Sequence, residues 1–199
     1  FVMPDLEASG IAAGIEAHDT FSMRAVYHDT AALTLFRWGI TLRHRTGGGD
    51  QGWHMKLPVA GADGSTRDEM HLPLEAGAIG SVPGAFIEVV APLLRGQPVV
   101  PVGTLVTERT PYLLLDANGR PLAELVDDIV SVLHEGRTVS VFRELEIEAL
   151  DADDPAAHAA LAAAVDLLIA EGAEPNSVSK AASALGPRTM SPPDVPALP

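Results

Sequence analysis

The sequence predicts an α+β fold, a strand-rich region flanked by helices, and three observations carry that prediction. Between Met23 and Glu148 the apolar segments are mostly short and alternate with polar residues, as half-buried strands do. Two pairs of these segments are joined by turn chemistry: a glycine-rich tip at 46–52 and the dipeptide Asn118-Gly119. Three other segments carry apolar or alanine-rich runs of helical length and end at glycine. With 199 residues, 20.8 kDa and 47% hydrophobic residues, the chain has material for one domain with a real core, or one and a small piece.

Taken in order, Met23 to His28 suits an extended segment. Gly39 to Arg45 is another, and Thr-Gly-Gly-Gly-Asp-Gln-Gly at 46–52 returns the chain into Trp53 to Leu57 as a hairpin. Asp63-Gly64 makes a loop before the strand Arg67 to Leu72. Ala85 to Arg95 places Phe86, Val89, Val90, Leu93 and Leu94 on helical spacing and stops at Gly96. Thr104 to Asp116 and Pro121 to Val130 flank Asn118-Gly119, a turn whose two positions need positive φ. Arg137 to Leu150 closes the strand series. Pro155 to Glu171 is a helix: Asp153 or Asp154 can cap it, Pro155 fits its first turn and Gly172 ends it. Ser177 to Leu185 makes a short last helix. Five of the final 13 residues are proline, so residues 1–187 read as the domain and 188–199 as a proline-rich tail or linker.

Lys+Arg 13 against Asp+Glu 27 gives a net charge of -14, which argues against nucleic-acid or anionic-membrane partners, since both need a basic face. The absence of cysteine excludes disulfides, thiolate-bound zinc and a thiol nucleophile. No stretch approaches about 18 uninterrupted apolar residues, and no signal-peptide pattern opens the chain. A soluble cytoplasmic protein is the expectation. Eleven of the 13 cations are arginine, and the two lysines are Lys56 and Lys180.

The placement of charge on the strands is more informative than its sum. Arg43 and Arg45 share a strand face; so do Arg67, Glu69 and His71; so do Glu124 and Asp128. In the last strand Glu144, Glu146 and Glu148 lie on one side and Leu145 and Ile147 on the other. A sheet with one solvated face produces such alternation. Yet three glutamates spaced by about 7 Å along one face repel unless a cation answers them. A barrel lined by these faces accounts for both signs at once. Its arginines would grip a compact polyanion through their donor forks, and its carboxylates would hold a hard divalent metal. One ion pair at about 4 Å is worth about 4 kcal/mol at an effective dielectric of about 20, so several converging arginines bind a phosphate chain strongly.

Tyr27-His28-Asp29-Thr30, Gly39 to Arg45, Gly52 to Pro58, Thr107-Glu108-Arg109, Leu122 to Asp128, Phe142 to Glu148 and Ser179-Lys180, in that order and at that spacing, resemble the CYTH domain of the triphosphate tunnel metalloenzymes. The resemblance covers about residues 21 to 186 and is nearest to the actinobacterial proteins in which a helical CHAD domain follows. It implies an eight-stranded antiparallel β tunnel barrel that hydrolyses a triphosphate, inorganic triphosphate first, with Mg²⁺ or Mn²⁺. It also implies a triphosphate or polyphosphate as the small-molecule partner and a CHAD domain beyond the tail. Carried over residue by residue, Arg43, Arg45, Lys56, Arg67, Arg109 and Lys180 bind phosphates; Glu146 and Glu148, with Glu144, face the metal; and Lys56, Glu124 and Asp128 form the catalytic set. Asp128 is preferred to Asp127, and Arg143, of opposite parity to the glutamates, is left outside the lumen. Nucleoside or thiamin triphosphate hydrolysis, ATP cyclisation, and a non-catalytic polyphosphate-binding module are the alternatives. The family's Glu-x-Glu-x-Lys strand belongs just ahead of Phe1, so the expectation is a chain written without its first strand; the other reading is a protein that has lost two metal-facing glutamates and a lysine.

Gly47-Gly48-Gly49 lacks the Gly-Lys-Ser/Thr ending of a phosphate loop and reads as a flexible tip. The seven histidines look scattered, none paired at ligand spacing, and are expected in solvent. Trp38 and Trp53 are expected to pack in the shell of the sheet, and Asp151, Asp153 and Asp154 to favour a helix start.

Overall fold

The computed structural model describes residues 2–59, 67–176 and 179–186, with Thr189. Eight strands and four helices follow in the order β1 (Gly14–Ala17), β2 (Phe21–Asp29), α1 (Thr34–Arg37), β3 (Thr41–Thr46), β4 (Gly52–Pro58), β5 (Arg67–Leu72), α2 (Gly84–Leu94), β6 (Val100–Leu115), β7 (Pro121–His134), β8 (Arg137–Ala149), α3 (Pro155–Ala170) and α4 (Lys180–Leu185). A 3-10 turn, Leu74–Ala76, precedes α2. The Asp63-Gly64 loop, the first two residues of the expected last helix and, apart from Thr189, the proline-rich tail lie outside the described residues.

The expected elements form with shifted ends, and the unforeseen ones are short. β1 is unforeseen and pairs antiparallel with β6 from Gly14↔Leu115 to Ala17↔Tyr112. The strands after α2 are long rather than short: β6 has 16 residues, β7 14 and β8 13. β7 runs past Val130 to His134 because Glu135 (φ 49) and Gly136 (φ 76) turn the chain in the left-handed region, making a second tight hairpin. In α2, Phe86, Val90 and Leu94 are buried, and Arg95 (φ 49) and Gly96 (φ 78) end it. Asp154 caps α3, its Oδ1 accepting the Ala156 N–H at 2.8 Å, and Ser179 Oγ accepts the Ala182 N–H in α4.

The sheet is antiparallel, in the order β5-β4-β3-β2-β6-β7-β8, with β1 beside β6 off this path. Among the described residues the sheet does not close into the expected barrel. Closure requires the two end strands to share a ladder, whereas here β5 and β8 end the path and β1 spends its hydrogen bonds on β6.

The chain divides into two compact units. Unit 1 comprises Phe1–Phe21, Glu108–Val130 and Phe142–Ser177. Its core joins Leu6, Ala12, Leu114, Ala123 and Leu125 to Ala164 and Leu168 of α3, with Leu145 and Ile147 of β8 packed against them. Unit 2 comprises Ser22–Thr107, Ser131–Val141 and Val178–Pro199. Its core joins Leu42, Trp53 and Met55 of the sheet to Leu35, Ile40, Phe86, Val90 and Leu94. Trp53 is fully buried, its indole N–H donating to Gly77 O, and Trp38 packs on the same cluster, as expected.

α1 is set by one carboxylate. Asp29, 2% exposed, accepts N–H bonds from Thr30 (2.6 Å) and Leu35 (2.9 Å) at Oδ1 and from Phe36 (2.9 Å) at Oδ2. The free donors of a helix start are thereby satisfied from the preceding strand.

Candidate functional site

In unit 2, strand register assigns the charged residues to one face. Tyr27↔Arg43, Arg43↔His54 and His54↔His71 form one cross-strand row; Thr41↔Lys56 and Lys56↔Glu69 form a second; Ala25↔Arg45 and Arg45↔Gly52 a third; and Pro58↔Arg67 ends the face. Directly opposed residues point the same way, while Leu42, Trp53 and Met55 at alternate positions enter the core under α2. This face therefore collects Arg43, Arg45, Lys56 and Arg67. Arg67 donates to Gly39 O at 3.3 Å, Lys56 Nζ lies 3.4 Å from Glu69 Oε2, and Arg45 pairs with Asp50 through Nη2 while its Nε donates to Asp50 O at 2.7 Å. Arg43 Nε is buried with no hydrogen-bond partner among the described residues. Lys180 opens α4, whose Ala184 lies close against Gly103 of β6.

In unit 1 the acidic residues answer a cation belonging to the chain. Arg109 Nε and Nη2 donate to Asp128 Oδ1 and Oδ2 at 2.8 and 2.7 Å, and Nη2 also donates to Glu146 Oε2 at 3.0 Å. The Asp128 bond, with the charges of Asp128 and Glu146, outweighs burial and raises the guanidinium pKa further. Asp128 is fully buried. Arg143, as parity indicated, points the other way and pairs with Asp127 at 2.8 Å through both Nε and Nη2. Glu124 is half-buried on β7, and Glu144, Glu146 and Glu148 alternate along β8. The row thus includes a member, Glu146, whose partner is Arg109.

The expectation of solvated histidines holds for His18, His71, His134 and His158, which are exposed, and fails for the other three. His28, His44 and His54 are 2%, 6% and 2% exposed. His28 and His44 flank Trp53 at ring-centroid distances of 4.9 and 4.8 Å on the core face. Burial lowers the pKa of His28 to about 4, against the Val26 carbonyl, and lowers that of His44 as well. Burial also brings His54 down to about 4 although Glu69 favours its charge, with Arg43 and Arg45 opposing it. Burial alone would raise the Glu69 carboxyl, but the His54 bond and Lys56 outweigh it and hold it below the usual range. The ligand spacing that sequence reading missed is cross-strand: His54 faces His71 in register, rings 4.6 Å apart, and with Asp50 their ligand atoms lie within 4.8 Å of one another.

Whether the β8 glutamates suit Mg²⁺ or Mn²⁺ turns on their donor set. All three offer hard carboxylate oxygens, but alternation keeps neighbours about 7 Å apart, too far for one all-protein cage. Mg²⁺ instead takes one or two carboxylates and completes its shell with water and phosphate oxygens, and the β8 row fits that mode.

A family model described as the CYTH domain matches residues 3–183. The chain belongs to the CYTH family. Two proteins of Mycobacterium tuberculosis, from different strains and both described as uncharacterized, are 37% identical to it over 197 residues, covering 93% of this chain. The chain spans 38% of the length of those relatives. A Bacillus halodurans protein described as an adenylate cyclase candidate shares the fold, with a TM-score of 0.53 and 18% identity over 88% of this chain and 86% of its own. A Hippeastrum adenylyl cyclase candidate described as having a dominant triphosphatase activity aligns with a TM-score of 0.47 and 15% identity over 94% of this chain and 95% of its own. CYTH membership thus agrees with the motifs in order, and the matched region takes in every candidate residue.

Proposed function

We propose that this CYTH chain hydrolyses a triphosphate with a divalent metal, inorganic triphosphate being the first choice of substrate. The observation that supports the reading best is the basic face of β3, β4 and β5 in a chain of net charge -14, with Arg43 Nε buried and without an acceptor among the described residues. A buried guanidinium donor with no partner is costly, and a phosphate oxygen supplies what it lacks. On this proposal Arg43, Arg45, Lys56, Arg67 and Lys180 bind the phosphates. Asp128 positions Arg109, so the guanidinium presents its remaining donors in a fixed direction. Glu146 and Glu148, with Glu144, hold Mg²⁺ or Mn²⁺, which when bound would neutralise phosphate charge. Lys56, paired with Glu69, places an ammonium against the leaving diphosphate. Glu124 is the inward acid left to take a proton from the attacking water. A CHAD domain beyond the proline-rich tail, which the resemblance implies, is proposed as the covalent partner.

Phosphate release from inorganic triphosphate, ATP and thiamin triphosphate, with and without Mg²⁺ or Mn²⁺, tests the reading. Metal-dependent release from triphosphate is expected, falling about 10²-fold or more in Arg43→Ala. Saturable polyphosphate binding without turnover would make it a binding module. Cyclic AMP from ATP would make it a cyclase.

A further inference from the structure

Asp50, His54 and His71 stand beside the arginines of this same face, with Arg43 opposite His54 and Arg45 paired with Asp50, and we propose that the three form a site for a transition-metal dication of the Zn²⁺, Co²⁺ or Ni²⁺ class. Three elements bring the side chains together: Asp50 from the tip between β3 and β4, His54 from β4 and His71 opposite it on β5. Their ligand atoms lie within 4.8 Å of one another.

The hydrogen bonds around the cluster orient it for a cation. His54 Nδ1 lies 2.9 Å from Glu69 Oε1, and Glu69, ionised beside Lys56, can only accept. The proton is therefore on Nδ1, and Nε2 presents a bare lone pair. That lone pair faces the Asp50 carbonyl oxygen at 3.2 Å and Asp50 Oδ1 at 3.6 Å. An acceptor aimed at two acceptors is repulsive unless a positive centre sits among them. A metal at about 2.1 Å from each ligand in a tetrahedron sets ligand atoms about 3.4 Å apart, close to the Nε2···Oδ1 separation.

Both ligands are already held from behind. Glu69 on Nδ1 makes the carboxylate–histidine arrangement that fixes tautomer and ring in metal sites. Arg45 takes Asp50 Oδ2 and donates from Nε to the Asp50 carbonyl, leaving Oδ1 turned to His54. Gly52 makes the room: its φ is 147°, and a Cβ there would fall 2.4 Å from His71 Nε2 and 2.5 Å from Leu72 O. His71 Nε2 lies 3.2 Å from Gln51 O, and a neutral imidazole keeps one bare nitrogen in either tautomer. Two imidazoles and one carboxylate suit borderline dications rather than Mg²⁺, and three protein ligands leave a fourth position open.

The test needs no turnover, so it stands or falls apart from the triphosphatase reading. The full chain, freed of metal, is titrated with Co²⁺ and followed by visible absorption, with Zn²⁺ binding measured by calorimetry. One equivalent with the intense bands of four-coordinate Co²⁺ is expected. His71→Ala and Asp50→Asn, checked as folded by circular dichroism, should abolish the bands, Glu69→Gln should weaken binding about 10- to 100-fold, and Glu146→Gln should leave it intact. Absence of stoichiometric binding, retention of the bands in folded His71→Ala, or their loss in Glu146→Gln would overturn the proposal.

Discussion

Asp29 carries three backbone N–H bonds from a buried position and thereby decides where the chain leaves β2 and enters α1. Asp29→Ala strands those donors, and at about 1 to 3 kcal/mol for each unsatisfied buried group the expected loss is about 3 kcal/mol or more in chemical denaturation. Asn, which keeps one carbonyl oxygen, should lose less. The aspartate stands inside the Tyr27-His28-Asp29-Thr30 motif, yet its structural part was not readable, because its partners Leu35 and Phe36 reach it across Leu33, a non-glycine residue with φ 57. The charged face was readable for the opposite reason. Period-two alternation places Arg43 with Arg45, and Glu69 with His71, without knowledge of any partner. What alternation cannot supply is cover: both faces of β4 are buried over 52–55, so His54 gives no sign of lying beneath arginines rather than in water.

Elements were legible where turn chemistry is explicit. Asn118-Gly119 announces the hairpin between β6 and β7, but of the two positions expected at positive φ only Gly119 (φ 78) takes it, and Asp116 accepts N–H bonds from Asn118 and Arg120 at 2.8 and 3.0 Å. Glu135-Gly136 announces the next one poorly, because its first position is a glutamate in the left-handed region. Glu135→Asn should therefore raise stability by up to about 1 kcal/mol, measured as a shift in denaturant midpoint with unchanged slope. β8 stands at an end of the strand order, and its glutamate row also discourages edge-to-edge pairing with another chain.

For the whole chain, net charge concealed segregation: a scarce set of cations occupies one face of β3 to β5 while carboxylates predominate elsewhere. No described helix is long and apolar enough to cross a membrane. Acid should destabilise the fold through its histidines before its carboxylates. His28 uses both ring nitrogens in the neutral form, Nδ1–H to Val26 O at 3.0 Å and Nε2 accepting from the Gly80 N–H at 3.2 Å. With folded pKa values of about 4 for His28 and His54, against 6.5 unfolded, the unfolded chain binds protons first as the pH falls. Stability is full above about 6.5 and drops between about 6.5 and about 4, so thermal midpoints should decline across that window, less steeply in His28→Gln.

The two tryptophans of the chain, Trp38 and Trp53, both belong to unit 2, and unit 1 contributes Tyr112 but no indole. Indole emission excited at the red edge is consequently a private signal of one unit, with Trp53 held between two imidazoles whose protonation would quench it. Far-ultraviolet dichroism sums the backbone of both units. Following one melt by the two signals thus separates a single cooperative transition from two successive ones without labelling the protein.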